Sequence, residues 1–266
     1  MFRQGDQVAA IVLEPVLGNA GMILGSREYL ETARQLASRF GACFILDEIV
    51  TGFRVRPGPM WEVFGEGVRP DLIVLGKAIS GGMPFAALCG SRHWFASANK
   101  SRFPRVLADL GTFTAHPGTL ACALQELRQL LGVPPEAYAA VCERMAILRS
   151  RVETTLARND IPCAATGRSY EPDVPDFPIG TVRYAAAPVP PIDLARNPNV
   201  HWDATVVDVL CRTTISKILL LLEGVYSWQG LGVLSLVHTE ADVQRFASAY
   251  EAIAPRLAVI LRSLRP

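Results

Sequence analysis

The sequence predicts an α/β fold, a largely parallel sheet covered by helices, followed by a smaller α+β unit. Three observations carry that expectation. Short, nearly continuous apolar runs recur at 8–13, 43–46, 72–75 and 86–90, the pattern of strands buried on both faces. Segments with helical spacing or turn chemistry separate them, as a strand–helix alternation requires. Beyond about Gly118 the alternation gives way to long helical stretches and weak strands. The expected division is residues 1–131 for the large domain and 132–266 for the small one.

Each element has a local reason. Val8–Leu13 is a strand that runs into the turn-rich Glu-Pro-Val-Leu-Gly-Asn-Ala-Gly (14–21). Residues 27–39 place Tyr29, Leu30, Ala33, Leu36 and Ala37 on one helical face, with Ser26 as N-cap. Cys43–Leu46 and Leu72–Leu75 follow as buried strands, and Ala86–Gly90 as a third after Gly-Gly-Met-Pro (81–84). Two helices are expected over Thr119–Leu131 and Glu136 to about Arg158, separated by Gly-Val-Pro-Pro (132–135). Weak strands are expected near Gly180–Tyr184 and Gly232–Val237, with a loop over the proline-rich 185–204 between them. Thr239, with Asp242 three positions on, opens a last helix that runs to Leu264.

Composition narrows the function classes. A net charge of +1 with no long basic run argues against nucleic acid or a membrane surface as partner. No apolar run approaches the roughly 18 residues that a membrane span needs. The polar amino terminus does not read as a signal or transit peptide. Six cysteines form no Cys-x-x-Cys pair and no cluster with histidine, so no metal site and no disulfide framework is indicated. A reducing, cytoplasmic compartment is the default expectation.

The chemistry is concentrated at two strand ends. Lys77 closes Asp-Leu-Ile-Val-Leu-Gly-Lys (71–77), and Asp47 closes Cys-Phe-Ile-Leu-Asp (43–47). Only three of the 26 basic residues are lysines, at 77, 100 and 217, so a lysine kept behind an apolar strand asks for a chemical reason. In a parallel sheet, ligands sit beyond the carboxyl ends of the strands. An amine and a carboxylate delivered there suit pyridoxal 5′-phosphate. The amine forms an imine with its aldehyde, and the carboxylate keeps the pyridine nitrogen protonated.

Three ordered motifs sharpen this reading. Leu-Asp-Glu-Ile-Val-Thr-Gly-Phe-Arg (46–54), Pro-Asp-Leu-Ile-Val-Leu-Gly-Lys-Ala-Ile-Ser-Gly-Gly-Met-Pro (70–84) and Gly-Thr-Phe-Thr-Ala-His-Pro (111–117) resemble the class III aminotransferases. Residues 14–21 and Val-His-Thr-Glu-Ala-Asp-Val (237–243) resemble their glutamate-1-semialdehyde 2,1-aminomutase branch. The resemblance implies the fold-type-I large domain in part, with an α+β carboxyl-terminal small domain. It implies Lys77 as the imine-forming lysine and proton shuttle, Asp47 on the ring nitrogen, and Ile49 against the ring face. It implies Thr112 as a phosphate donor to the neighbouring subunit of a homodimer, and Glu14 and Asn19 near the phenolic oxygen.

Family members carry a long amino-terminal half with a phosphate loop and a ring-stacking aromatic, and this chain is similar only to the portion beyond that half. Where the aminomutase branch has Phe-Glu-Ala, this chain has Gln229-Gly230-Leu231. The resemblance therefore implies amino-group transfer on a small-molecule donor and acceptor, with mutase and transaminase both open. Turnover would need the other half, supplied in the same chain or by a partner. The alternative is a non-catalytic scaffold, or one subunit of a split enzyme. His116 reads as turn chemistry before proline, and His93, His201 and His238 as structural or exposed.

Overall fold

The computed structural model describes residues 7–96, 111–184 and 206–264. The described residues fall into two units: one runs to Val16 and resumes over Gly25–Pro135, the other holds Leu17–Leu24 and the chain from Glu136 onward.

The first unit is built on a four-stranded sheet. β1 (Ala10–Leu13) leads through the two-residue strands β2 (Val16–Leu17) and β3 (Ile23–Leu24) to helix α1 (Arg27–Phe40). Then come β4 (Cys43–Glu48), the short helix α2 (Trp61–Phe64), β5 (Leu72–Gly76), β6 (Ala86–Gly90) and the short helix α3 (Arg92–Phe95). The sheet order is β1-β4-β5-β6. β1, β4 and β5 are parallel, and β6 returns antiparallel along β5. A largely parallel sheet is therefore present. The antiparallel edge follows from the compact connection at 77–85, because a parallel return needs a long crossover.

Helix α1 begins where Ser26 Oγ accepts the Tyr29 N–H at 3.2 Å and ends at Gly41 in the left-handed conformation, φ +65°. It buries Leu30, Ala33 and Ala37, whereas Tyr29 stays exposed despite its place on the expected apolar face. Asp71, just ahead of β5, joins this helix to the sheet. Its Oδ2 accepts from Phe44 N at 2.9 Å and from the Arg34 guanidinium at 2.6 Å. Helix α4 (Pro117–Gly132) closes the unit and is capped by His116, whose Nδ1 accepts the Thr119 N–H at 3.3 Å.

In the second unit, helix α5 (Pro135–Ala157) aligns Val141, Met145, Leu148, Val152 and Leu156 at spacings of three and four. This stripe joins one core with Val243, Ala247, Tyr250, Ile253, Leu257 and Leu261 of the last helix. Between them lie β7 (Cys163–Ala165), β8 (Ile179–Gly180), β9 (Val182–Tyr184), helices α6 (Val206–Leu210) and α7 (Ser216–Leu222), and β10 (Gly232–Val233). The stretch expected as one strand at 180–184 is split: β8 pairs antiparallel with β10, and β9 with β7. The strand expected over 232–237 covers only Gly232–Val233, and His238 Nδ1 accepts the Ser235 N–H at 3.1 Å in the turn after it. Helix α8 (Glu240–Leu264) starts with the expected reciprocal cap. Thr239 N donates to Asp242 Oδ2 at 2.7 Å, and Asp242 N donates to Thr239 Oγ1 at 3.4 Å. The loop expected at 185–204 lies outside the described residues.

Candidate active site

The parallel register fixes where the acids and the lysine emerge. Leu13 pairs with Leu46 and Asp47 with Val74, so Glu14 directly follows β1, Asp47 is the penultimate residue of β4, and Lys77 directly follows β5, at the same end of three adjacent strands. Lys77 comes directly after Gly76 and opens a 3-10 turn, Lys77–Ser80, closed by Ser80 Oγ donating to Lys77 O at 2.7 Å. Its φ is +45°, an uncommon conformation for a long side chain that persists where surrounding structure enforces it.

The enforcing structure is visible in the glycines. Gly81, at φ +58°, would bring a Cβ to 2.7 Å from Cys122 O, so α4 lies directly on the turn after Lys77. Gly76 faces Ile49, whose Cγ2 would lie 3.4 Å from an added Cβ. Ile49 is thereby held beside the lysine's own strand end. Its N–H in turn donates to Asp47 Oδ1 at 3.0 Å, which orients the acid.

Asp47 is half-buried, and Lys77 is exposed. Neither has a further charged partner among the described residues, and they do not pair with each other. An amine and a carboxylate on adjacent strands, neither with an opposite charge beside it among the described residues, fit a ligand that needs one of each. An apolar isoleucine beside them suits a flat ring. The donor set thus fits pyridoxal phosphate.

The other expected residues are less closely gathered. Glu14 is half-buried at the end of β1, on the same sheet edge as Asp47. Thr112 lies exposed in the turn ahead of α4. Asn19 is exposed and belongs to the second unit. His116 is an N-cap. Lys217 has its Nζ 5.1 Å from the Tyr226 ring centre, and Lys100 and His201 lie outside the described residues.

One residue escaped the sequence reading. Glu48 is fully buried, with Oε1 accepting the Trp61 N–H at 2.8 Å and Oε2 accepting from Met60 N. Burial pushes its carboxyl up to about 7, against the opposing pull of those two amides. The signal was present in the alternation: Phe44, Leu46 and Glu48 share one face of β4, while Asp47 lies on the other.

The sequence profile of the family described as Aminotransferase class-III matches residues 2–160. The chain belongs to the class III aminotransferase family. Pyridoxal 5′-phosphate is the cofactor that goes with it. Among curated class III relatives, glutamate-1-semialdehyde 2,1-aminomutase of Thermoplasma acidophilum is 33% identical over 168 residues, covering 63% of this chain and 38% of that protein. The aminomutase of Hyperthermus butylicus is 37% identical over 164 residues, covering 62% and 37%.

Solved structures cover more of the chain. A β-phenylalanine aminotransferase from Variovorax paradoxus superposes with a TM-score of 0.74 at 26% identity, covering 97% of this chain and 55% of that one. An ω-transaminase from Sphaerobacter thermophilus gives 0.78 at 25%, covering 97% and 54%. The chain thus spans about a third of the length of the curated relatives it matches and about half of these two solved structures. The fold-type-I architecture and the α/β character expected from sequence are present. No helix among the described residues is long and apolar enough to cross a membrane.

Proposed function

We propose that residues 1–131 form the lysine–carboxylate side of a pyridoxal phosphate site for amino-group transfer, and that 132–266 form the small domain. The observation that carries this is the placement of Lys77, held at φ +45° directly after β5, on the strand that pairs with the one bearing Asp47, an acid with no charged partner among the described residues. When bound, the cofactor supplies an electrophilic carbonyl and an electron-accepting ring. Lys77 would hold the cofactor through its amine at the carbonyl carbon and would move a proton to and from the substrate. The Asp47 carboxylate holds a proton on the ring nitrogen, because a negative charge favours the protonated form. Ile49 would keep water from the ring face, and Glu14 would serve the phenolic-oxygen side.

Thr112, exposed ahead of α4, would supply its hydroxyl to the phosphate bound by a neighbouring subunit, which makes a homodimer the proposed working unit. The site is completed by the phosphate loop and ring-stacking aromatic that the resemblance assigns to the family's other half, whether these come from the same polypeptide or a partner. Without them the residues present bind the cofactor weakly and do not turn over. The compartment is cytoplasmic, and the substrates are a small amino donor and a carbonyl acceptor.

The test is direct. Incubation with pyridoxal phosphate, borohydride reduction and peptide mapping should place the label on Lys77. Label on Lys100 or Lys217 with none on Lys77 would overturn the assignment.

A further inference from the structure

Glu48 lies next to the proposed cofactor-pairing acid, yet points to the opposite face of the sheet, among Phe44 and Leu46. A fully buried carboxylate is retained only where donors compensate for lost water. Its donors are the main-chain N–H groups of Met60 and Trp61, 12 and 13 residues away. The intervening loop has internal braces: Gly52 N donates to Glu48 O at 2.9 Å, Phe53 N to Gly58 O at 2.9 Å, and Arg54 Nε to Val50 O at 3.3 Å. A Cβ at Gly52 would lie 2.7 Å from Leu75 Cδ2 and 3.7 Å from Glu48 Oε2. The loop is therefore seated on β5 just before Lys77. Its first residue is Ile49, which touches Gly76 and donates to Asp47.

We infer that Glu48 is a positioning residue: by accepting the Met60 and Trp61 N–H groups, its buried carboxylate clamps the 49–61 loop over the ends of β4 and β5, and so fixes Ile49 and Asp47 beside Lys77. The inference rests on the cofactor reading above. It gives the two adjacent acids different tasks, Asp47 facing the ligand and Glu48 holding the loop that orients Asp47. Glutamine in its place would keep the volume but turn an NH2 toward one of the two N–H groups, breaking half of the clamp. Alanine would break all of it.

The experiment uses the full chain as wild type, Glu48→Gln and Glu48→Ala, with two readouts. Hydrogen exchange of the 49–61 amides reports the clamp without any cofactor. Borohydride labelling at Lys77 with pyridoxal phosphate reports the positioning. Exchange of 49–61 should accelerate about tenfold in Glu48→Gln and more in Glu48→Ala, with α5 and α8 unchanged, and labelling at Lys77 should fall by about the same factor. Exchange of α1, in the same unit, should stay at its wild-type rate, which general destabilisation of that unit would not allow.

Unchanged exchange in Glu48→Gln overturns the clamp. Faster exchange with wild-type labelling at Lys77 overturns the positioning role alone. A wild-type chain unlabelled at Lys77 overturns the cofactor reading and the positioning role together, while the exchange data still decide the clamp. If Glu48→Ala does not fold, Glu48→Gln carries the comparison.

Discussion

Deleting Asp176 should damage the second unit more than deleting Arg149, and deleting both should be milder than deleting Asp176 alone. Arg149 has no exposed surface, whereas the Asp176 side chain is 28% exposed. The guanidinium donates to Asp176 Oδ2 at 2.5 Å and to Phe177 O at 2.5 Å, and its Nε has no partner. Burial works against its charge and lowers its pKa, with Asp176 opposing that effect through charge and hydrogen bonding. Asp176→Ala leaves this cation buried without a counter-ion and strips the Ser169 N–H of its acceptor, a loss of roughly 3–5 kcal/mol. Arg149→Met leaves a carboxylate that water can reach and one carbonyl short of a donor, a loss of about 1–3 kcal/mol. In the double variant the stranded charge is gone, so its stability should approach that of Arg149→Met. Urea titration read through hydrogen exchange of α5 reports the unit that holds the pair. The reasoning fails if Asp176→Ala is milder than Arg149→Met, or if the double variant is the least stable of the three.

Three further outcomes are expected. Because Glu48 has its folded pKa raised from 4.5 to about 7, the folded state binds the extra proton. Its contribution to stability is therefore full below pH 4.5 and is lost as pH rises through 7, a fall of roughly 3 kcal/mol at about 1.4 kcal/mol per pH unit. Unfolding of the first unit measured from about pH 5 to about pH 8 should show that slope, and Glu48→Gln should flatten it. Gly81→Ala places a Cβ 2.7 Å from Cys122 O at φ +58°, whereas Gly82→Ala at φ +80° meets nothing within 4 Å. Thermal melting should therefore show a loss of about 1 kcal/mol for Gly82→Ala, from backbone strain alone, and a clearly larger one for Gly81→Ala. Asp47→Ala should leave Lys77 open to borohydride labelling but slow amino transfer roughly a hundredfold once the completing half is present. Transfer at the wild-type rate would remove the acid's electronic role.

Much of the candidate site was legible because its signals are local. A strand that closes on Asp47 and Glu48, and another followed at once by Lys77, put polar groups at one end of the sheet. The opposite faces taken by Asp47 and Glu48 were hidden, although two-residue alternation contained them. Nothing within 43–48 says which face is dry, and nothing says that Met60 and Trp61 return with two N–H groups. His116 was legible as turn chemistry but not as a helix cap. Whether its ring turns back onto the Thr119 amide depends on backbone angles at 116–119.

By itself, the sequence determined the elements whose evidence lies within a few residues: the apolar strands, the Ser26 cap of α1, the Thr239–Asp242 start of α8, and the motifs that assign the family. Hydrophobic period and capping act over one or two turns, so they can be read without knowing what packs where. The tertiary structure decided what depends on partners distant in the chain. It turned β6 antiparallel, split 180–184 between two ladders, left Tyr29 in water, and closed Glu48 under a loop and Arg149 against Asp176. A charge is stable in the interior only when a specific distant group arrives to meet it, and that meeting is made by packing rather than by local pattern.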